Sequence, residues 1–113
     1  MKMLRKPILL VLLVGLLWTG HAFAWSFAVA GDSRDDKDGI FPQILSEVDR
    51  SDMEFLLHLG DMVNRDAAKE WEAYRAVTAS FRKPLRVVIG NHELYAGGTP
   101  EKFAERFGLP GTS

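Results

Sequence analysis

The chain has 113 residues, of which 47% are hydrophobic and 26% are charged, and its formal net charge is −1. This length allows one small domain with a thin hydrophobic core. The chain contains no cysteine, which excludes disulfides and thiolate metal sites. Because its basic residues form no block after residue 6, we do not expect nucleic acid as a partner.

The first 24 residues have the pattern of a secretory signal peptide. A basic head of Lys2, Arg5 and Lys6 precedes an uncharged apolar run over residues 8–18, and Ala22-Phe23-Ala24 fits a cleavage signal. That run is too short for a hydrocarbon core about 30 Å thick, so we expect no permanent membrane span. We predict export, to the periplasm or as a secreted protein, with cleavage after Ala24 and a mature domain of residues 25–113. An uncleaved anchor is the alternative.

The rest of the chain alternates between predicted strands and helices. Apolar runs predict strands over Trp25–Ala30, Met53–Leu59 and Leu85–Ile89. Apolar residues at helical spacing predict helices over 40–50 and 67–81, and a short third helix is indicated by Thr99 as N-cap, Pro100 at its first position and Gly108 after its end. The order β-α-β-α-β-α requires parallel strands joined by right-handed crossovers, which is an α/β fold with helices on the sheet.

Each predicted strand ends in glycine followed by an acid or an amide. The pairs are Gly31-Asp32, Gly60-Asp61 and Gly90-Asn91, spaced 29 and 30 residues apart. Since the carboxyl ends of parallel strands meet at one edge, where such folds bind ligands, we expect these oxygen donors to converge on a metal site. The aspartates could instead be turn residues or helix caps, and Asn91 alone could adopt a left-handed turn. Three equivalent placements favour the metal.

The residues at these turns resemble the first three motifs of the calcineurin-like metallophosphoesterases. The motifs are Gly31-Asp32-Ser33-Arg34, Gly60-Asp61-Met62-Val63-Asn64 and Gly90-Asn91-His92-Glu93. The resemblance runs from Trp25 to about Ser113 and covers only the amino-terminal part of that family's α/β sandwich. It implies hydrolysis of a phosphomonoester or phosphodiester substrate by metal-activated water, with two divalent ions drawn from Mn, Fe, Zn or Mg.

The resemblance also implies a role for each site residue. Asp32 would bind the first metal, Asp61 would bridge both metals, and Asn91 would bind the second metal and contact the substrate. His92 would bind the transferring phosphoryl group or protonate the leaving alcohol, with Glu93 as the carboxylate that orients it.

The residues themselves support a cation. Two carboxylates held side by side, without an obvious lysine or arginine fixed between them, repel each other unless a cation neutralises them. His58 lies inside an apolar strand and is predicted to be a hydrogen-bonded core residue. Asn64 and the acidic run over residues 35–38 are predicted to be surface-loop residues.

Two departures from the family pattern limit the resemblance. Arg34 stands where the first motif usually has a histidine ligand, and it would bind the substrate phosphate or pair with nearby loop acids. The later histidine motifs have no counterpart, because no histidine follows His92. The alternative function is therefore a truncated, non-catalytic fragment with at most weak metal or phosphate binding. A flavodoxin-like binding domain is a third possibility, but the chain has no phosphate-cradling glycine loop.

Overall fold

The described structure is a parallel three-stranded sheet with helices packed against it. The computed structural model describes residues 24–111. Strands β1 (Ala28–Ala30), β2 (Leu56–His58) and β3 (Leu85–Val87) lie in the order β1-β2-β3. Both strand pairs are parallel, with Ala28 opposite Leu56 and Leu56 opposite Leu85. The predicted parallel α/β arrangement is therefore confirmed.

The strands are shorter than the apolar runs that predicted them. Each regular ladder holds three residues, although single backbone bonds continue the pairing, such as Leu59 N–H to Ala30 O at 2.8 Å and Val88 N–H to His58 O at 2.9 Å. Next to the first residues of β1 and β2, the rings of Trp25, Phe27 and Phe55 contact one another, and those of Phe27 and Phe55 stack with centroids 4.8 Å apart. The apolar runs therefore include residues that pack beside the sheet outside its regular ladder.

Three α-helices follow the strands. Helix α1 (Ile40–Arg50) has the predicted bounds. Helix α2 (Ala68–Thr78) ends earlier than predicted, where the Thr78 hydroxyl bonds the Tyr74 carbonyl at 3.0 Å and competes with the helical pattern. Helix α3 (Pro100–Phe107) is capped by the Thr99 side chain, which accepts from the Lys102 N–H, and its predicted bounds are confirmed.

The acidic loop before α1 is partly structural. Asp36 accepts hydrogen bonds from the N–H groups of Ile40 and Phe41 at 3.0 and 2.8 Å, and so caps the helix. The prediction that residues 35–38 form only a solvated loop is therefore wrong at this position. The cap fixes the start of α1 relative to the loop that leaves β1.

The core lies between one face of the sheet and the helices. Its buried members include Phe41, Leu45 and Val48 from α1 and Trp71 and Tyr74 from α2. The alternate sheet residues are on the other face, where Val29 is 54% exposed and Leu59 is 53% exposed. Parallel sheets are normally covered on both faces. Within residues 24–111, this second face lacks such a cover.

The predicted signal peptide lies outside the described residues except for Ala24. In the part of the chain that is described, every helix is too short or too polar to cross a membrane.

Candidate functional site

The aspartates after β1 and β2 share an uncommon backbone conformation. Asp32 has a φ of 53° and Asp61 a φ of 56°, both in the left-handed region. Residues other than glycine seldom adopt it, and when they do they cluster at ligand sites, where the surrounding structure holds the strain. Two backbone bonds tie these turns together, from Asp32 N–H to Gly60 O at 3.1 Å and from Arg34 N–H to Asp61 O at 3.2 Å. The turns therefore lie side by side at the carboxyl edge of the sheet, as predicted.

Arg34 lies between the two carboxylates. Its Nη1 is 3.5 Å from Asp32 Oδ1 and 3.3 Å from Asp61 Oδ2. The expectation that no arginine is fixed between the aspartates is therefore wrong. The sequence left two interpretations of Arg34, pairing with loop acids and binding of phosphate. The structure shows ion pairs, but their partners are Asp32 and Asp61 and not the acids of residues 35–38. Its single positive charge offsets one of the two negative charges that were expected to require a cation, so this group of three side chains keeps a formal charge of −1.

The two carboxylates differ in exposure and in the hydrogen bonds that they accept. The Asp61 side chain is 16% exposed, and its Oδ1 accepts the backbone N–H of His92 at 3.1 Å. The Asp32 side chain is 75% exposed. Asn91 is exposed and donates its side-chain N–H to the Tyr95 hydroxyl at 3.0 Å, which leaves its amide oxygen free to accept or to ligate. The third motif thus meets the second through the Asp61 carboxylate.

The oxygen atoms of Asp32, Asp61 and Asn91 are suitable ligands for a divalent cation, but Arg34 would have to move before a cation could bind. Both aspartates already reach one positive nitrogen, and carboxylate and amide oxygens suit hard divalent ions. A metal held by both carboxylates would have to displace the Arg34 guanidinium. Within residues 24–111, no group of three or more His, Cys, Asp or Glu side chains could hold a metal.

Glu93 is buried and holds the loops of the second and third motifs together. It is 2% exposed. Its Oε2 accepts the N–H groups of Asp61 and Gly90, both at 3.0 Å, and its Oε1 accepts the N–H of Met62 at 2.5 Å. Glu93 was expected to orient His92, but its carboxylate is bonded to these backbone N–H groups. The sequence did contain a signal for this role. Glu93 stands three positions after the turn glycine Gly90, from where an acidic side chain can reach back to unpaired backbone N–H groups.

The His92 ring is oriented by the backbone of the second motif. The Nδ1 of His92 lies 3.0 Å from the carbonyl oxygen of Asn64, and the His92 ring packs on the ring of Tyr95 with centroids 4.8 Å apart. Since a carbonyl oxygen only accepts, Nδ1 carries the hydrogen and Nε2 is left to face a substrate or solvent. Asn64 thus has a positioning role that sequence reasoning missed. Its side chain also donates to Asp35 at 2.6 Å.

His58 supports the site from beneath and is confirmed as a core histidine. It is fully buried, and its Nδ1 accepts the Gly60 N–H at 3.1 Å. The hydrogen therefore sits on Nε2 and is donated to the Ser33 hydroxyl, 2.8 Å away. Burial lowers the pKa of His58, and the opposing charges of Glu93, Asp32 and Asp61 raise it by less. The neutral ring joins the turns after β1 and β2.

The glycine of the second motif is required by geometry. Gly60 has a φ of +100°, and a Cβ at this position would collide with the backbone of Gly90. The close approach of the two turns therefore depends on the missing side chain.

Comparison with known proteins identifies a family. The family model for the calcineurin-like phosphoesterases matches residues 26–112, which include all three motifs. This match confirms the resemblance that the motifs indicated. The chain has no significant match among curated proteins or among solved structures.

Proposed function

The chain belongs to the calcineurin-like phosphoesterase family, and from this premise we propose that it is a metal-dependent hydrolase of phosphomonoesters or phosphodiesters. The observation that carries the proposal is the convergence of Asp32 and Asp61 on one guanidinium nitrogen, at 3.5 and 3.3 Å, from two left-handed turns. The ion pairs with Arg34 account for the convergence of the two carboxylates, but they do not require both acids to sit in left-handed turns. Such backbone conformations cluster at ligand sites, which supports the proposal.

Asp32, Asp61 and Asn91 are the residues that would hold the metal. A divalent ion, Mn, Fe, Zn or Mg, would supply positive charge to the phosphate oxygens and activate the attacking water. Three donors suit one ion better than two, so the second ion of the family pattern needs donors beyond those that residues 24–111 bring together. Binding of one ion is therefore the part of the proposal that these residues support.

Arg34 and His92 would act on the substrate. If the aspartates held a cation, the Arg34 guanidinium would lose its ion pairs with them and could donate two parallel hydrogen bonds to phosphate oxygens. The Nδ1–H of His92 is held by the Asn64 carbonyl, so a proton on Nε2 is the one that can pass to the oxygen of the leaving alcohol. Glu93 would keep the two loops in place without touching the substrate.

The alternative is a fragment that binds a cation or phosphate and does not turn over substrate. It is favoured by one observation, the lack of a three-residue His, Cys, Asp or Glu cluster within residues 24–111. Catalysis by a metal centre depends on fixed coordination and on the groups that orient the ligands. A site with three donors and a displaced arginine would hold its ion with loose geometry.

Calorimetric titration with Mn²⁺ tests the metal site. Asp61→Ala should lose most of the affinity for Mn²⁺. Asp38→Ala should change it little, because Asp38 is exposed and forms only a long ion pair, 3.7 Å from Lys37. Equal losses in the two variants would mean that the ion binds diffuse surface charge. Turnover of p-nitrophenyl phosphate by the Mn²⁺-loaded chain then separates the enzyme from the fragment, since binding without turnover supports the fragment.

Export is a second part of the proposal and rests on residues 1–24. We propose that the protein leaves the cytoplasm and that its mature form begins at Trp25. Amino-terminal sequencing of the protein recovered from expressing cells tests this. Recovery of Met1 on soluble protein would contradict it.

A further inference from the structure

A cavity of about 360 Å³ lies between α1 and α2, next to the candidate site but separate from it. Its apolar wall includes Phe41, Met62, Val63, Tyr74 and Val77. The volume is in the range of small-molecule pockets, which are mostly apolar with a few polar groups. None of the proposed metal ligands lines it.

The cavity opens beside the proposed phosphate-binding arginine. Ser33 and Asp35 line the cavity, and Arg34 is the residue between them. Consecutive Cα atoms are about 3.8 Å apart, so the Arg34 backbone borders the cavity, and its side chain runs from there to Asp32 and Asp61. A ligand that spans the length of this side chain can place its phosphate at the guanidinium and its remaining part in the cavity.

Tyr74 supplies a second, independent observation. It lines the cavity and is 6% exposed, and its hydroxyl is the buried side-chain polar atom that lacks a hydrogen-bond partner within residues 24–111. A buried hydroxyl without a partner is unfavourable, and such orphan groups call for an explanation. Burial raises the pKa of Tyr74, so the hydroxyl stays protonated and can donate. A ligand atom that accepts a hydrogen bond would satisfy it.

The aromatic wall favours a flat ligand. The ring of Tyr74 lies nearly parallel to that of Phe41, with centroids 6.2 Å apart and planes inclined by 14°. Aromatic rings add to such walls by stacked or edge contacts. The cavity therefore suits a ring better than a branched aliphatic group.

The acidic residues at the rim are already engaged by the protein. Asp36 caps α1, Asp35 accepts from the Asn64 side chain at 2.6 Å, and Glu70 accepts the Asn64 N–H at 2.8 Å. Lys69 also lines the rim, and no ion pair to it is found in the described part of the chain. Three carboxylates against the two amines of Lys37 and Lys69 leave the rim with a net charge of −1, so the rim favours the neutral alcohol portion of an ester and leaves the phosphate to Arg34.

We propose that this cavity binds the alcohol portion of the substrate, and that the substrate is a phosphate ester of an alcohol that carries an aromatic ring with a hydrogen-bond acceptor. The ring lies against Phe41 and Tyr74, the acceptor receives the Tyr74 hydroxyl hydrogen, and the phosphate lies at Arg34. The inference rests on the proposed function for the phosphate end. The cavity end can be tested without turnover.

Two probes separate the two ends. 4-Nitrobenzyl alcohol has the ring and the nitro acceptor but no phosphate, and inorganic phosphate has acceptor oxygens but no ring. Binding of each to the full chain, with Mn²⁺ present, is measured by isothermal titration calorimetry. Ala73→Phe fills the cavity from α2, and Ala76→Phe is the matched control, because Ala76 is exposed on the same helix and does not line the cavity.

We expect Ala73→Phe to weaken 4-nitrobenzyl alcohol binding at least tenfold and Ala76→Phe to leave it within twofold. Phosphate binding should be unchanged in both variants and weakened by Arg34→Gln. Failure of the alcohol to bind, or equal binding to the wild type and Ala73→Phe, would overturn the inference. Loss of the phosphate arm alone would count against the proposed function and leave the cavity assignment standing.

Tyr74→Phe tests the hydrogen bond. It removes only the unpartnered hydroxyl, so the fold should persist, which circular dichroism checks. Affinity for 4-nitrobenzyl alcohol should fall about 5- to 10-fold, the ratio expected for one hydrogen bond. Affinity for 4-methylbenzyl alcohol, which has no acceptor at that end of its ring, should not change. Equal effects on both alcohols would show that Tyr74 acts by shape alone and would overturn the acceptor requirement.

Discussion

Replacing Glu93 with glutamine should destabilise the protein although the two side chains have nearly the same shape. The carboxylate of Glu93 is 2% exposed and accepts three backbone N–H groups, from Asp61, Met62 and Gly90. Glutamine keeps one acceptor oxygen. Its amino group must then face at least one N–H donor, which leaves that donor unpaired.

The magnitude follows from the number of bonds. If the glutamine oxygen takes the place of Oε2, it keeps the bonds to Asp61 and Gly90, and the Met62 N–H loses its partner. Losing one charge-assisted bond costs about 1.5–3 kcal/mol, and the two that remain weaken when the charge is lost. Removing a buried charge also recovers part of its desolvation cost, so we take the lower end, about 2 kcal/mol. That is a large share of the roughly 5–10 kcal/mol typical of a domain of this size.

The assay is urea unfolding followed by circular dichroism, with thermal unfolding as a second measurement. Glu93→Gln should lower the urea midpoint without changing the slope, and should lower Tm by roughly 8–16 °C. Glu47→Gln is the control, because Glu47 is exposed on α1, and it should stay within about 0.5 kcal/mol of the wild type. If Glu93→Gln also stayed within that range, or if the control lost as much, the loop-holding role assigned to Glu93 would be refuted.

Three further predictions concern the same region. Because burial lowers the pKa of His58, the unfolded chain binds a proton below about pH 6.5 that the folded chain does not bind. The free energy of unfolding should therefore fall as the pH falls from 6.5, by up to about 1.4 kcal/mol per pH unit. Denaturant titrations should show a flatter pH dependence in His58→Gln, and an unchanged slope would contradict the prediction. Arg34→Gln frees both aspartates and should strengthen Mn²⁺ binding about 3- to 10-fold by calorimetry, whereas Arg50→Gln, at the end of α1, should not; weaker binding in Arg34→Gln would mean that the arginine supports the metal site. Gly60→Ala should cost about 2–4 kcal/mol in urea unfolding, and Gly97→Ala, which shares the positive φ but has open space around it, should cost only about 1 kcal/mol; equal costs would remove the argument from close approach.

The bounds of α1 and α3 and the position of the acidic pair could be predicted because their signals are local or follow from the topology. Helix α3 is bracketed by Thr99, Pro100 and Gly108 within ten positions, and α1 by an apolar stripe of regular spacing. The aspartates follow from strand ends, since parallel strands bring their carboxyl ends to one edge. These arguments use neighbouring residues or topology alone.

The roles of Glu93 and Arg34 depend on contacts between distant parts of the chain. Glu93 binds N–H groups 31 and 32 residues earlier, and Arg34 reaches a carboxylate 27 residues later. Whether a charged side chain points to solvent, to substrate or to another loop is decided by the packing of turns, which the sequence pattern does not contain. The same holds for Asn64, which positions His92 through a backbone carbonyl that any residue carries.

The left-handed turns at Asp32 and Asp61 also limit which substitutions the site can accept. At a positive φ near 55°, glycine has no steric penalty, and asparagine and aspartate are the other residues that adopt this conformation most often. Two of these three carry an oxygen that can ligate a metal. A library randomised at these positions and selected only for folding should therefore be enriched in residues that still offer a ligand, so that backbone shape by itself keeps variants close to metal-binding chemistry.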